Sequence, residues 1–238
     1  MVNVVAENYG FIEAVCLLEK IADFLGSVDA KISQLNRKIE LLSEYKTGCA
    51  QQVFTKKVRF KDVDGSEFPD WEEKRLGDVL VHEQPSRYLV ASSEYSDAHT
   101  TPVLTAGKTF ILGYTDETEG VYDNVPAIIF DDFTTAFKFV DFPFKAKSSA
   151  MKILTLKSSD DDLRFVHAAM SQVKFQVGEH KRYWISEYQN VTIHYPHPNE
   201  QLRIASFLSG IDHKIKLVGK ELKYAHTFRS ALLQQMFI

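Results

Sequence analysis

The chain has 238 residues, 45% of them hydrophobic and 25% charged, enough apolar material for one large domain or one domain with an appendage. No apolar run approaches a membrane span, and the two cysteines, Cys16 and Cys49, lack metal-ligand spacing, so composition sets aside a membrane protein and a disulfide scaffold. The net charge of −4 neither requires nor excludes a nucleic-acid partner, but it is unevenly spread. Residues 20–61 hold nine Lys/Arg against four Asp/Glu, residues 62–132 four against sixteen, residues 138–182 nine against five, and residues 200–238 six against three. A polyanion is expected on the basic stretches, not on the acidic one.

The first twenty residues, MVNVVAENYGFIEAVCLLEK, show neither a basic leader nor a small-residue cleavage site, so a cytoplasmic place is the expectation. From Ile21 the apolar residues fall at Ile21, Leu25, Val28, Ile32, Leu35, Ile39 and Leu42. Steps of four and three alternate, a 3.5-residue repeat that makes a seam for a second helix. This first helix extends back toward Phe11 and ends near Phe54, before the turn-rich DVDGSEFPDW.

Short apolar runs separated by Gly, Asp and Pro follow, and they read as strands: Thr101–Ala106, Thr109–Gly113, Val125–Phe130, Ala136–Val140 and Met151–Leu156. Asp161–Phe175 has helical spacing, and Tyr188–Tyr195 reads as a further strand.

A second long helix starts near Asn199 and carries the same seam at Ile204, Leu208, Ile211, Ile215, Val218, Leu222 and Ala225. A shift of 183 residues aligns Ile21–Phe54 with Ile204–Phe237 without a gap, and ten of the thirty-four pairs are identical, Phe24/Phe207 and Asp29/Asp212 among them. The next seam position is basic in both copies, Lys46 and Arg229, which reads as snorkelling at the edge of a bundle. The predicted class is α+β: one mixed α/β domain attached to an antiparallel two-helix coiled-coil stalk. Its segments are an N-terminal extension over 1–17, a helix over 18–56, the domain over 57–198 and a helix over 199–238. Each helix is about 50 Å long, the length of about 15 base pairs of duplex.

Catalytic motifs do not assemble. In PDWEEK (Pro69–Lys74) the acids and lysine of a nuclease centre crowd into one turn, and DFPF (Asp141–Phe144) has Phe142 where an amino-methyltransferase loop needs proline. Asp131 and Asp132 read as a turn after a strand, His194 and His197 lack a third metal ligand, and there is no P-loop. The reading is a non-catalytic protein with no cofactor and no metal.

Three stretches carry a family resemblance: EQLRIASFLSGIDHKI with its helix ending LLQQMF, FPDWEEKRLGDV (Phe68–Val79), and the runs PVLTAGKTFILGYT and IIFDDFTTAFKFVDFPF. They resemble the specificity subunits of type I restriction–modification enzymes. The resemblance implies spacer helices in an antiparallel coiled coil and a target recognition domain reading half of a split DNA site. It also implies docking to methyltransferase (M) subunits and, through them, restriction (R) subunits. Such subunits carry two recognition domains; this sequence has two helices and one domain, a half-subunit pattern. The expected partners are therefore double-stranded DNA, M and R subunits, and a second copy or another half-subunit, with no membrane. The alternative is an interaction protein that binds M subunits and modulates the complete enzyme without strong DNA binding.

Within that resemblance the candidate DNA contacts are Lys108 at a hairpin turn, Lys138, then Lys145, Lys147, Ser148, Ser149 and Lys152 in FKAKSSAMK, and Lys181, Arg182 and Tyr183 in HKRYW. Each lysine alone reads equally as solvated surface, and Tyr183 and Trp184 as core. Phe24, Phe207 and Phe228 lie off the seam and are the candidate dimer contacts.

Overall fold

The computed structural model describes residues 2–105, 109–178 and 182–236, with side chains from 19 to 235 within those ranges. It divides into two compact units, residues 1–49 with 208–238, and residues 50–207.

The first unit is helical, built from α1 (Val2–Phe54) and α5 (Pro198–Met236), each helix continuing into the second unit. From Ile21 to Leu42 of α1, the residues at the 3.5-residue spacing are buried or half-buried and all the others are exposed. Val28, Ile32 and Leu35 form its driest part, at 9%, 8% and 3% exposure. On α5, Leu208, Ile211 and Val218 are buried and Ile215 and Leu222 half-buried. Two ion pairs fix the direction of pairing: Arg229 Nε reaches Asp29 Oδ1 at 2.6 Å and Lys46 Nζ reaches Asp212 Oδ1 at 2.6 Å. Residues early in α1 thus meet residues late in α5, so the helices are antiparallel. The two pairs are one interaction made twice, since the 183-residue shift carries Asp29 to Asp212 and Lys46 to Arg229. Snorkelling was the sequence expectation at these positions; the structure gives each charge a partner on the other helix. Such half-exposed pairs contribute only about 0.2–1 kcal/mol each, so their effect is on register and orientation more than on stability.

The second unit is mixed α/β. β1 (Glu72–Arg75) leads through the one-turn helix α2 (Leu76–Val79) into β2 (Leu80–Glu83). Then come β3 (Thr101–Leu104), β4 (Ile111–Thr115), β5 (Ala127–Asp131), β6 (Phe137–Val140), β7 (Lys145–Ala146) and β8 (Met151–Leu156). α3 (Leu163–Met170), α4 (Tyr183–Ser186) and β9 (Thr192–Tyr195) complete it. The strands form three sheets, ordered β2-β8-β5-β6, β4-β3-β7 and β1-β9, and β3 with β7 is the one parallel pair among the described strands. β1, β2, β7 and α4 had no sequence expectation.

β5 is buried along its whole length, and its two faces feed two cores. Ala127 and Ile129 pack with Leu104, Tyr122, Val140, Phe144, Met151 and Ile153. On the other face Phe130 meets Trp184 at 5.2 Å and Tyr188 at 4.8 Å between ring centroids. α3 starts where Asp162 caps the Phe165 amide at 2.9 Å and buries Leu163, Phe165, Val166, Ala169 and Met170.

The stretches FPDW and EQL close on one another. Glu200, fully buried, accepts from Arg59 Nη2 at 2.8 Å and from Trp71 Nε1 at 2.9 Å, while Arg59 also donates to the carbonyl of Pro69 at 2.7 Å. Phe68 stacks on His197, and Phe54, the last residue of α1, packs against Trp71 and Phe165. The buried charge of Glu200 is tolerated because three donors satisfy it.

Candidate nucleic-acid interface

The described candidate DNA contacts lie on β6, β7, β8 and α4 and on the segments that adjoin them, several of which hydrogen bonds tie together. The β7–β8 segment joins β3 through Lys147 N to the Leu104 carbonyl, at 2.8 Å. Its far end, the Ala150 carbonyl, accepts from Asp132 N at 3.0 Å in the β5–β6 turn. The carbonyl of Asp132 in turn accepts from Tyr183 N at 2.8 Å, and its Oδ1 from Trp184 N at 2.9 Å. Lys138 on β6 lies over the ring of Phe110, in the β3–β4 connection, at 5.3 Å. These contacts link stretches far apart in sequence.

Of the candidates, Lys138, Lys147, Ser149 and Arg182 are exposed and Ser148 is half-buried. Lys147 Nζ donates to Ser93 Oγ at 2.8 Å and lies 5.9 Å from the Tyr95 ring centre. Among the described residues, Lys138, Lys147 and Arg182 have no carboxylate within ion-pair distance. Cations left uncompensated beside hydroxyls suit phosphate oxygens, and a guanidinium fork also suits the O6/N7 edge of guanine. Lys108 and Lys181 fall outside the described residues.

Three candidates are corrected. Lys145 is 4% exposed, its Nζ held by Glu117 Oε2 at 2.7 Å and the Glu119 carbonyl at 2.6 Å. Glu117, in the acidic loop over residues 114–120 of the stretch on which no polyanion was expected, neutralises it. Lys152 is fully buried, 3.2 Å from Asp132 Oδ2, which is also fully buried. Tyr183 is 1% exposed and packs against Phe175. None of the three offers its side chain to a duplex. The sequence held one unused signal: on β8 the side chain of Lys152 shares a strand face with that of Leu154, which is completely buried. Asp131 is a turn residue, as read: its carboxylate accepts from Phe133 N at 2.9 Å and Thr134 Oγ1 at 2.6 Å. Among the described residues no group of three or more His, Cys, Asp or Glu is placed to hold a metal ion.

The hydrogen bond from Lys145, backed by the amide of Ser92, pulls the Glu117 carboxyl down to about 2 from an ordinary 4.5. A depressed carboxyl contributes stability above its unfolded pKa and loses it as pH falls through the folded one. The acidic loop should therefore loosen between about pH 4.5 and pH 2. Glu117→Gln should remove that part of the acid transition, read by Tyr88 and Tyr122 fluorescence; an unchanged profile would mean that the Lys145 pair is not made in solution.

Exposed cations without a carboxylate partner among the described residues, next to hydroxyls in the mixed α/β unit, suit an anionic partner. The family description "Type I restriction modification DNA specificity domain" matches residues 69–224, and the chain belongs to that family. Specificity subunits of type I systems are non-catalytic DNA-recognition subunits. The chain is 49% identical over 157 residues to the EcoR124I/EcoR124II specificity subunit of Escherichia coli, covering 62% of this chain and 38% of that one. Over 232 residues it is 26% identical to a putative specificity subunit, MjaX, of Methanocaldococcus jannaschii, covering 85% of this chain and 52% of the relative. It thus spans about half the length of these relatives or less. The crystal structure of the S subunit of a type I system from M. genitalium shares its fold, with a TM-score of 0.66 at 16% identity over 90% of this chain and 58% of that one. Among the described residues no helix is long and apolar enough to cross a membrane.

Proposed function

We propose that this chain reads one half of a bipartite duplex DNA target through the loops around Asp132. The carrying observation is that Lys147 and Arg182, on segments that Asp132 ties together, and Lys138 on β6 stand exposed with no carboxylate at ion-pair distance among the described residues. In this reading the domain over 57–198 is the target recognition domain, and the helices over 18–56 and 199–238 are spacer helices. They dock M subunits in the cytoplasm, with R subunits joining through them. The test is a gel shift with random-sequence duplex, in the presence of cognate M subunits. Lys147→Ala and Lys138→Ala should weaken binding to all sequences and each flatten the salt dependence by about one unit of slope. Arg182→Ala should instead relax discrimination at one base pair, by about 1–3 kcal/mol. Unaltered binding in all three variants would move the DNA surface elsewhere. The acidity of residues 62–132 favours a second reading, a modulator that binds M subunits but DNA only weakly. Binding to M subunits with no shift of any duplex would support it.

A half-site is too short to be selective in a genome, so two copies related by a twofold are expected to read an inverted, interrupted site. Off the seam, Leu41, Tyr45, Tyr224 and Phe228 are exposed apolar residues, and the repeat relates Leu41 to Tyr224 and Tyr45 to Phe228. This doubled stripe, with Phe24 edge-on to Phe228 at 6.3 Å, is the surface we assign to pairing. Phe207, the third sequence candidate, leaves that set: it is half-buried and packs on Phe60 at 5.7 Å, so it does not share the role of Phe24. Light scattering across a dilution series should give twice the 27.2 kDa chain mass; a constant single-chain mass would exclude the homodimer.

A further inference from the structure

Asp132 uses each of its polar groups on a different neighbour. Its N–H donates to Ala150, its carbonyl accepts from Tyr183 N, its Oδ1 accepts from Trp184 N, and its Oδ2 faces Lys152 Nζ at 3.2 Å. The Tyr183 and Trp184 amides are the first two of α4, which need acceptors from outside the helix. Arg182, directly before that helix, does not cap it with its own side chain. Asp132, fifty residues upstream of Arg182, does so in its place and leaves the Arg182 side chain exposed.

The ion pair beneath is costly. Both side chains are completely buried, and beyond one another neither Asp132 Oδ2 nor Lys152 Nζ has a hydrogen-bond partner among the described residues. A buried pair of this kind is commonly replaced by apolar residues with no loss of stability. What an apolar pair does not supply is an acceptor for the Trp184 amide. Lys152 sits opposite Phe130 on the central strand, so it holds the Asp132 carboxylate against the sheet while the other carboxylate oxygen holds α4.

We propose that Asp132, anchored by Lys152, is a specificity-positioning residue: it sets Arg182 against the Lys147–Ser149 segment so that both meet the same stretch of duplex. The proposal rests on the DNA-reading function above. Asp132 touches no DNA itself, and the acceptor oxygen, not the charge, is what positions.

Two double variants of the full chain separate these roles. Asp132→Asn with Lys152→Met removes both charges and keeps the acceptor; Asp132→Leu with Lys152→Met removes the acceptor too. The probes are the best-bound duplex from a random-sequence pool and a scrambled duplex of the same composition. The Leu/Met chain should lose about tenfold or more of its preference, the discrimination one good base contact supplies, with an unchanged salt slope because no phosphate contact is lost. The Asn/Met chain should keep its preference. A folded Leu/Met chain that keeps its preference, or a folded Asn/Met chain that loses it, overturns the proposal. Should the Leu/Met chain not fold, the Asn/Met result decides alone. Should the unaltered chain show no preference, the DNA-reading function falls, and amide exchange decides the positioning. The Tyr183 and Trp184 amides should exchange about tenfold faster in Leu/Met than in Asn/Met, with β5 and β8 unchanged. Equal exchange overturns it.

Discussion

Replacing Ile32 by Asp should unfold the helical pairing. Ile32 is 8% exposed on α1, between Val28 and Leu35, in the driest part of the seam. The substitution removes a branched apolar side chain and leaves a carboxylate with no partner in its place, an expected loss of about 4 kcal/mol or more. Ile215, the corresponding residue of the second copy, is only half-buried, so a carboxylate there reaches water and should cost less. The asymmetry is itself a test, because the repeat treats the two positions as identical. Ile32→Val should cost about 0.5–1.5 kcal/mol, and Gln34→Asp, on an exposed position, close to nothing. Circular dichroism at 222 nm during thermal melting reads the helical unit, and pull-down with M subunits reads its proposed partner. A normal melt for Ile32→Asp would mean that the seam does not carry the pairing.

The helices were legible because their pattern is long. Seven seam positions in each copy, repeated at a fixed offset, leave no other periodic reading, and residues 21–42 of α1 bury those positions and no others. What the pattern did not show was the use of its polar members. Asp29 and Asp212 were visible as identical residues, and Lys46 and Arg229 as basic seam positions, yet only the antiparallel register brings each acid to the opposite base. In the mixed unit the strands set in apolar runs between Gly, Asp and Pro were readable. β7, two residues long, exists only because β3 and the Leu89–Val90 segment pair with it. The same two residues decide the fate of Lys145. A lysine in FKAKSS looks like surface until the parallel pairing with Val103 turns it inward, where the Glu117 carboxylate, twenty-eight residues earlier, meets it. Composition marks a loop as basic or acidic, but burial is settled by pairing across the chain. The exposed Lys147 differs from the buried Lys145, two residues before it, in no local property of the sequence.

Lys152→Met alone should be far more damaging than Lys152→Met together with Asp132→Asn. The single variant fills the space of the lysine stem but leaves the Asp132 carboxylate fully buried, with one oxygen engaged by Trp184 N and the other without a cation. Breaking one partner of a buried pair costs about 3–5 kcal/mol, whereas neutralising both is often close to free. The carboxylate of the single variant should escape part of that cost by taking up a proton, so its loss should shrink as the pH is lowered. The double variant has no buried charge and should be nearly independent of pH at this site. Urea unfolding at two pH values measures both effects, with an unchanged slope showing that the same surface is exposed each time. The two single and one double substitution close a cycle, and a coupling of 0.5–3 kcal/mol is the ordinary range for residues in contact, so a buried pair should lie at or above its upper end, about 3 kcal/mol. Additive effects would place water between Asp132 and Lys152, and with it remove the anchor on which the arrangement of Arg182 against the Lys147 loop depends.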